Sequence, residues 1–298
     1  MDTDSLAPNP PVALSPGLTV PATPAPRQHL KIRPASGWQA LNLLQIWQYR
    51  DLLLALASRD VKLRYKQTAL GAIWVVFQPL LAAGIFSFVF GKVANLSSDG
   101  VPYFIFSYVG LLAWNVFANT LTKVSGSLVG NAHLISKVFF PRLVLPISTV
   151  FSTLIDFSVA FTMLLVLLPI YKIAPTWNLL LLPIWLLLVL LLAMGAGLFT
   201  SALMVSYRDV QYILPVLTQF LLYGSPIAYA VSAVPQHLQF YYLFNPLSSL
   251  LEGFRWSVLG QGELHFGFVA YGASFAVMAF VIGAFAFKRM ERKFADVI

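Results

Sequence analysis

The sequence predicts an all-α integral membrane protein. Its six transmembrane helices are accompanied by an N-terminal amphipathic interface helix and by two short re-entrant helices on the outer side, between spans 5 and 6. Two observations predict this fold. Of the 298 residues, 58% are hydrophobic and 10% are charged, whereas charged residues make up about 25% of a soluble domain. The apolar residues also form six runs of the length that a bilayer requires, about 20 residues. This composition excludes an ordinary soluble enzyme and a disordered scaffold.

The region before the first span has two parts. Residues 1–35 contain eight prolines and no apolar periodicity, which predicts a disordered cytoplasmic tail. Residues 36–66 begin with a capping box from Ser36 to Gln39 and then mix apolar with basic side chains. This pattern favours a helix that lies along the membrane surface, and a soluble amphipathic helix is the alternative.

The transmembrane domain, residues 67–298, contains the six predicted spans. Polar Asn115, Asn119 and Thr120 in the second span should face protein more than lipid. If both termini are cytoplasmic, 16 of the 19 Lys and Arg residues lie on the cytoplasmic side, as the positive-inside rule requires. The spans cover about 69–91, 103–123, 143–170, 178–205, 211–231 and 266–287.

The stretch 232–265 is too apolar for a plain loop and too interrupted to cross a membrane. Pro235, the Asn245-Pro246 pair and Gly260 to Gly262 divide it into pieces near 236–244 and 247–259. Two short helices that dip back from the outer side fit best, and a hairpin lying on the surface is the alternative. Because re-entrant backbone is tolerated only where protein or a cavity surrounds it, this stretch marks a functional region.

The sequence contains little catalytic chemistry. It has no P-loop for ATP phosphates, no cysteine, and four histidines without metal-ligand spacing. We therefore expect no enzyme activity, no metal and no cofactor in this chain, and any energy must come from a separate partner. The basic residues flank hydrophobic runs, which favours a membrane over a nucleic acid as the reason for the net charge of +8.

Three charged residues carry open alternatives. Asp156 lies mid-span, where an acid is either functional, in proton or ion coupling, or a structural acid bonded to a neighbouring helix. Glu252 and Arg255 stand three residues apart, so that they share one helix face. They form either a local ion pair or a contact with a polar or anionic substrate group.

Several segments, taken together in their order along the chain, resemble the membrane-spanning subunit of polysaccharide-exporting ABC transporters of the type-2 exporter class. Within that class the sequence is most similar to O-antigen permeases, and capsule and teichoic acid exporters are more distant. The resemblance covers roughly 45–298. The segments are Arg59 to Lys66, Leu70 to Trp74 with Gln78-Pro79, Asn131 to Pro146, Tyr207 to Val210 with Ser225 to Tyr229, Asn245 to Leu247 with Glu252 to Trp256, and Glu291 to Asp296.

The resemblance implies a permease that exports lipid-linked polysaccharide across the bacterial inner membrane. It implies a homodimer with a central tunnel and two copies of a separate ATPase subunit, which hold the ATP and magnesium. No nucleic acid is implied. A permease that exports a small hydrophobic compound or drug is the main alternative. A membrane enzyme acting on lipid-linked sugars and a non-transporting scaffold are further ones.

The candidate site residues fall into four groups. Aromatic rings suit the apolar faces of sugars, and the basic side chains before the first span can attract a diphosphate. The resemblance places the tunnel along spans 1 and 5, with the outer gate beyond it. The tunnel group is Trp74, Phe77, Phe86, Phe220, Tyr223 and Tyr229; the outer gate is Phe240, Tyr241, Tyr242, Phe244, Glu252 and Arg255; the entrance for the lipid head group is Arg59, Lys62, Arg64 and Lys66; and the ATPase-coupling group is Asn131, His133, Leu134, Ile135, Lys137, Arg142, Arg208 and Asp209.

Overall fold

A computed structural model describes most of the chain from residue 43 to residue 291. The described residues are 43–66, 71–231, 234–235, 237, 242, 244–262 and 264–291. Among them, every regular element is helical, which confirms the all-α prediction. The predicted tail, the capping box at Ser36, and the gate residues Phe240 and Tyr241 lie outside the described residues.

The described part of the predicted interface helix consists of α1 (Leu43–Gln48) and α2 (Arg50–Lys66). On α2, Leu53, Leu56 and Ala57 are buried. Their spacing places them on one helical face, and α2 packs against the long helix α6 (Val144–Ile170). The interface helix is therefore attached to the bundle, in addition to any contact with a membrane.

Five helices in the described part have the length and apolar composition to cross a membrane. The first begins as α3 (Gly71–Phe86) and continues as a π-helical stretch, Ser87–Val93. The remaining four are α4 (Tyr103–Gly126), α6, α7 (Leu182–Ser206, preceded by a 3₁₀ turn at Trp177–Leu181) and α10 (Phe266–Glu291). A short 3₁₀ turn, Val129–Asn131, and α5 (Ala132–Ile135) connect α4 to α6.

The predicted fifth span, 211–231, is a shorter helix in the structure. Helix α8 (Val210–Tyr223) has 14 residues, and the chain turns at Gly224. Pro226 explains this end, because proline cannot donate a backbone hydrogen bond and disfavours the helical conformation in the residue before it. Beyond the turn, α9 (Pro246–Leu259) agrees with the short helix predicted at 247–259.

Helix α4 is the centre of the bundle. It contacts α3, α6, α7, α8 and α9, and 78% of its most apolar window is buried, against 11% for the helix that includes α3. At the crossing of α7 and α10, a Cβ atom on Gly195 or Gly283 would collide with the facing backbone. Small residues therefore allow these two helices to approach closely, as in other membrane bundles.

Candidate functional site

A cluster of three charged side chains joins three helices. Asp156 of α6 accepts at Oδ2 from Arg64 Nη1 of α2, at 2.5 Å, and from Lys123 Nζ of α4, at 3.0 Å. Lys123 also donates to Ser152 Oγ at 2.9 Å. The Asp156 side chain is 8% exposed, and the two cations balance its buried charge. These partners support the structural alternative for Asp156.

A cavity of about 70 Å³ lies beside this cluster, between α2, α3, α4 and α6. Part of its lining is apolar, from residues such as Val75, Leu112 and Phe157. The rest can donate or accept hydrogen bonds, which is unusual for helices of this hydropathy. The polar lining consists of Arg64, Gln78, Asn115, Asn119, Thr153 and Asp156.

A second contact ties α2 to the loop between α4 and α6. Arg59 donates from Nη2 to Asn131 Oδ1 at 2.8 Å, and the Asn131 amide donates to the Ser127 carbonyl at 2.9 Å. Arg59 also pairs with Asp60 at 3.0 Å. The structure thus brings together a residue predicted for head-group recruitment and one predicted for ATPase coupling.

The other predicted coupling residues follow along the same loop and at the start of α8. Leu134 and Ile135 are half-buried and pack on the core, and Arg142 Nη1 donates to the Glu291 carbonyl of α10 at 2.9 Å. The remaining predicted coupling and head-group residues are exposed: His133, Lys137, Arg208, Asp209, Lys62 and Lys66. The loop therefore has an anchored side and a side that is available to a partner.

Arg255 of α9 lies under the turn that ends α8. Its Nη2 donates to the carbonyls of Pro226, at 2.7 Å, and Ile227, at 3.3 Å, and its guanidinium stands 3.9 Å from the centre of the Phe106 ring. Among the described residues, Glu252 and Arg255 do not form a salt bridge with each other. Burial raises the pKa of Glu252, and the charge of Arg255 opposes that shift. Arg255 therefore holds irregular backbone by hydrogen bonds and acts on Glu252 through its charge alone.

Further hydrogen bonds connect this turn to the region around α9. The Tyr229 hydroxyl donates to the hydroxyl of Tyr242, at 2.6 Å, and lies 3.1 Å from the Tyr223 carbonyl. Asn245 caps α9, and its side-chain amide donates to Ser225 Oγ at 3.1 Å. The Tyr271 hydroxyl of α10 donates to the backbone carbonyl of Phe244. Described residues from the tunnel and outer-gate groups thus meet in one place.

Five of the six aromatic residues predicted for the tunnel lie on two helices that both pack against α4, and Tyr229 lies in the turn after α8. Trp74 and Phe77 of α3 are exposed, with ring centres 5.8 Å apart, and Phe86 is half-buried. Phe220 and Tyr223 of α8 are also exposed. The described parts of α3 and α8, the two helices where a tunnel is expected, therefore present exposed aromatic side chains.

Lys123 and Phe106 were missed as functional residues by the sequence reasoning. A signal for Lys123 exists, because Asn115, Asn119 and Lys123 recur every fourth residue and so share one helical face. That stripe faces α6 and its Asp156. Phe106 is one of many aromatic residues in an apolar helix, and nothing in the sequence distinguishes it as the ring beneath Arg255.

Comparison with known proteins identifies the family. The ABC-2 type transporter family matches residues 51–259, from the first turn of α2 to the end of α9. The chain is 29% identical over 255 residues to the O-antigen export system permease protein RfbA of Klebsiella pneumoniae. That alignment covers 83% of this chain and 95% of the relative.

Two further relatives carry export or transport in their names. The O-antigen export system permease protein RfbA of Myxococcus xanthus is 30% identical over 213 residues, which cover 71% of this chain and 81% of the relative. The polysialic acid transport protein KpsM of Escherichia coli is 25% identical over 243 residues, covering 80% and 92%. The chain is thus homologous to permeases of polysaccharide export along most of its length.

Proposed function

The chain belongs to the ABC-2 type transporter family, and we propose that it is the permease subunit of an exporter of lipid-linked, O-antigen-like polysaccharide. Two copies enclose a tunnel through the bacterial inner membrane. Two copies of a separate subunit bind ATP with magnesium and hydrolyse it. The names of the similar proteins support the substrate class.

The proposed topology has six spans, with both termini in the cytoplasm. Helix α8 alone is too short for a span, since 14 residues rise about 21 Å and the apolar core is about 30 Å thick. The residues after it are irregular but buried, from Ser225 to Ala228, and Arg255 bonds to two of their carbonyls. Irregular backbone is tolerated at membrane depth under such conditions, so α8 and this turn together make the fifth crossing, and α9 is a re-entrant helix at the outer end.

The observation that carries the proposal is the exposed aromatic surface on α3 and α8. In a dimer these two helices face the second copy, and Trp74, Phe77, Phe220 and Tyr223 line the space between the copies. Flat rings contact the apolar faces of sugars without a deep binding site, which suits a polymer that must slide. Tyr229 and the gate residues close the outer end.

The coupling step uses the loop between α4 and α6. When ATP brings the two partner subunits together, the exposed side of the loop at His133 and Lys137 is pushed. Because Asn131 is bonded to Arg59, α2 moves with the loop, and α3 and α8 shift about the breaks near Pro215, Gly224 and Pro226. Lys62 and Lys66 attract the diphosphate head of the substrate at the cytoplasmic entrance.

The test is glycan export by membranes that contain the chain and its ATPase subunit. Replacing Trp74 and Phe220 together by alanine should lower export of the polymer several-fold while ATP hydrolysis continues. Trp177→Ala, at an exposed tryptophan in the 3₁₀ turn before α7, is the control and should leave export unchanged. Export of a small hydrophobic compound by wild type, with no glycan moved, would favour the drug-exporter alternative and reject the proposal.

A further inference from the structure

The charge cluster beside the cavity contains two cations and one carboxylate. Arg64 and Lys123 both donate to one oxygen of a single carboxylate. Arg64 is the more accessible of the two cations, with its side chain 40% exposed against 24% for Lys123, and it also lines the cavity. If Arg64 turns away, Asp156 keeps Lys123 as its partner. The remaining pair of Asp156 and Lys123 has no net charge, which avoids the high cost of a buried charge without a counter-charge.

Neutral hydrogen-bonding groups converge on the same cavity from three helices. Gln78 comes from α3, Asn115 and Asn119 from α4, and Thr153 from α6. Polar groups in apolar helices are costly unless they have a partner. Amide N–H groups and a guanidinium together are the donors that phosphoryl oxygens accept from, and hydrogen bonds from a guanidinium to phosphate are among the strongest in proteins.

We propose that this cavity binds a phosphoryl group of an anionic lipid, with Arg64 leaving Asp156 to hold the phosphoryl oxygens and the amides of Gln78, Asn115 and Asn119 completing the site. The cavity, about 70 Å³, holds several water molecules and so fits one phosphoryl group rather than a glycan. The inference rests on the proposed function where the lipid is the carrier of the exported polymer.

Occupancy of the site changes how α2 is attached. In the structure α2 is held to α6 through Arg64 and to the loop after α4 through Arg59. A phosphoryl group that takes Arg64 removes the polar contact with α6 and leaves the bond at Arg59 and the apolar packing of α2 on α6. A ligand shifts an equilibrium by its preference for one of two states, here α2 with or without the bond between Arg64 and Asp156. Substrate binding therefore changes the position of the loop that the proposed function places against the ATPase.

Binding of farnesyl diphosphate, a short soluble lipid diphosphate, tests the proposal. The full chain is placed in nanodiscs of phosphatidylcholine, and the heat of titration is measured. Farnesol, which lacks phosphate, should bind at least tenfold more weakly. Arg64→Gln should weaken farnesyl diphosphate binding about tenfold or more, since one charge-assisted hydrogen bond is lost. Arg50→Gln, on the same helix and exposed, is the matched control and should bind like wild type.

Removing the carboxylate separates a binding site from a purely structural cluster. Asp156→Asn combined with Lys123→Met leaves the net charge unchanged. It also removes the carboxylate that competes with a phosphoryl group for Arg64. This double variant should bind farnesyl diphosphate at least as tightly as wild type. Wild-type affinity in Arg64→Gln, or a loss in the double variant equal to that in Arg64→Gln, would overturn the proposal.

The phosphoryl group could belong to a bilayer phospholipid or to the carrier of the substrate. Changing the lipid composition of the nanodisc distinguishes these two sources. If bilayer phospholipid occupies the site, adding phosphatidylglycerol weakens farnesyl diphosphate binding to wild type but not the residual binding to Arg64→Gln. If the substrate carrier occupies it, phosphatidylglycerol has no such effect. Glycan export is measured in parallel. Export without farnesyl diphosphate binding overturns only the cavity proposal, whereas binding without glycan export by wild type supports the cavity and rejects the proposed function.

Discussion

Asp156 and Arg255 are both buried charges, yet the structure compensates them in different ways. Asp156 is held by two side-chain cations from two other helices. Arg255 is held by two backbone carbonyls of the turn after α8 and by the face of the Phe106 ring. The first arrangement joins helices through long side chains, and the second joins a helix to the backbone of its neighbour.

The two arrangements differ in what they allow to move. A flexible side chain such as Arg64 can exchange one anionic partner for another at small cost, provided that Lys123 remains. Among the described residues, Arg255 is the charged side chain that donates to the carbonyls of Pro226 and Ile227. Arg255 therefore fixes the turn in one conformation. We therefore expect the region around Asp156 to respond to ligand and the region around Arg255 to act as a rigid support.

The largest expected effect is loss of the support at the turn. Arg255→Met removes two charge-assisted hydrogen bonds and the contact with Phe106, and it removes the positive charge that acts on half-buried Glu252. We expect the free energy of unfolding to fall by about 3–5 kcal/mol, seen as a lower melting temperature by circular dichroism in detergent. Arg255→Lys keeps the charge but not the planar fork, and it should recover less than half of the loss.

Arg50→Met is the matched control for that prediction, because Arg50 is an exposed arginine at the start of α2. Its melting temperature should match wild type. If Arg255→Lys were as stable as wild type, charge alone would be sufficient at this position, and the comparison with Asp156 would lose its basis.

A smaller effect is expected at the three-charge cluster. Asp156→Asn leaves Arg64 and Lys123 without their shared acceptor, but both side chains are partly exposed and can turn toward water. We expect a loss of about 3 kcal/mol in the free energy of unfolding, and most of it should return in Asp156→Asn with Lys123→Met. A double variant as unstable as the single one would show that packing around Asp156, rather than charge, sets the stability there.

Much of the fold could be predicted from the sequence, because membrane helices are determined by local hydropathy. The positions of α3, α4, α6, α7 and α10 follow from apolar runs, and α9 follows from the prolines and glycines around it. The early end of α8 was missed. Its apolar run continues to Val231, so hydropathy gave no boundary, and the local effect of Pro226 decided the outcome.

The candidate site was less predictable, because its contacts are made between distant parts of the chain. Arg64 and Asp156 are separated by 92 positions, and Arg59 and Asn131 by 72. Asp156 could be recognised as unusual from its apolar surroundings, but its partners depend on how α2 and α4 pack on α6. The expected pair of Glu252 and Arg255 is consistent with helix geometry, yet Arg255 donates to the Pro226 and Ile227 carbonyls of the turn that packs on it.

A further prediction concerns the link between α2 and the loop after α4. Asn131→Ala removes the acceptor of Arg59 and the donor to Ser127, and we expect a loss of about 1–2 kcal/mol in the free energy of unfolding. A double-mutant cycle with Arg59→Gln measures the bond itself. Additive effects of the two changes would mean that Arg59 and Asn131 do not stabilise each other.

The smallest expected effect lies among the tyrosines beside the Arg255 turn. Tyr229→Phe removes the hydrogen bond with Tyr242 and the polar contact with the Tyr223 carbonyl, whereas Tyr242→Phe removes only the bond between the two hydroxyls. We expect losses of about 1 kcal/mol or less for Tyr242→Phe and somewhat more for Tyr229→Phe. In the Tyr229→Phe background, Tyr242→Phe should have no further effect on the melting temperature. If it does, Tyr242 supports the turn through another contact, and the rigid support extends beyond Arg255 into the loop before α9.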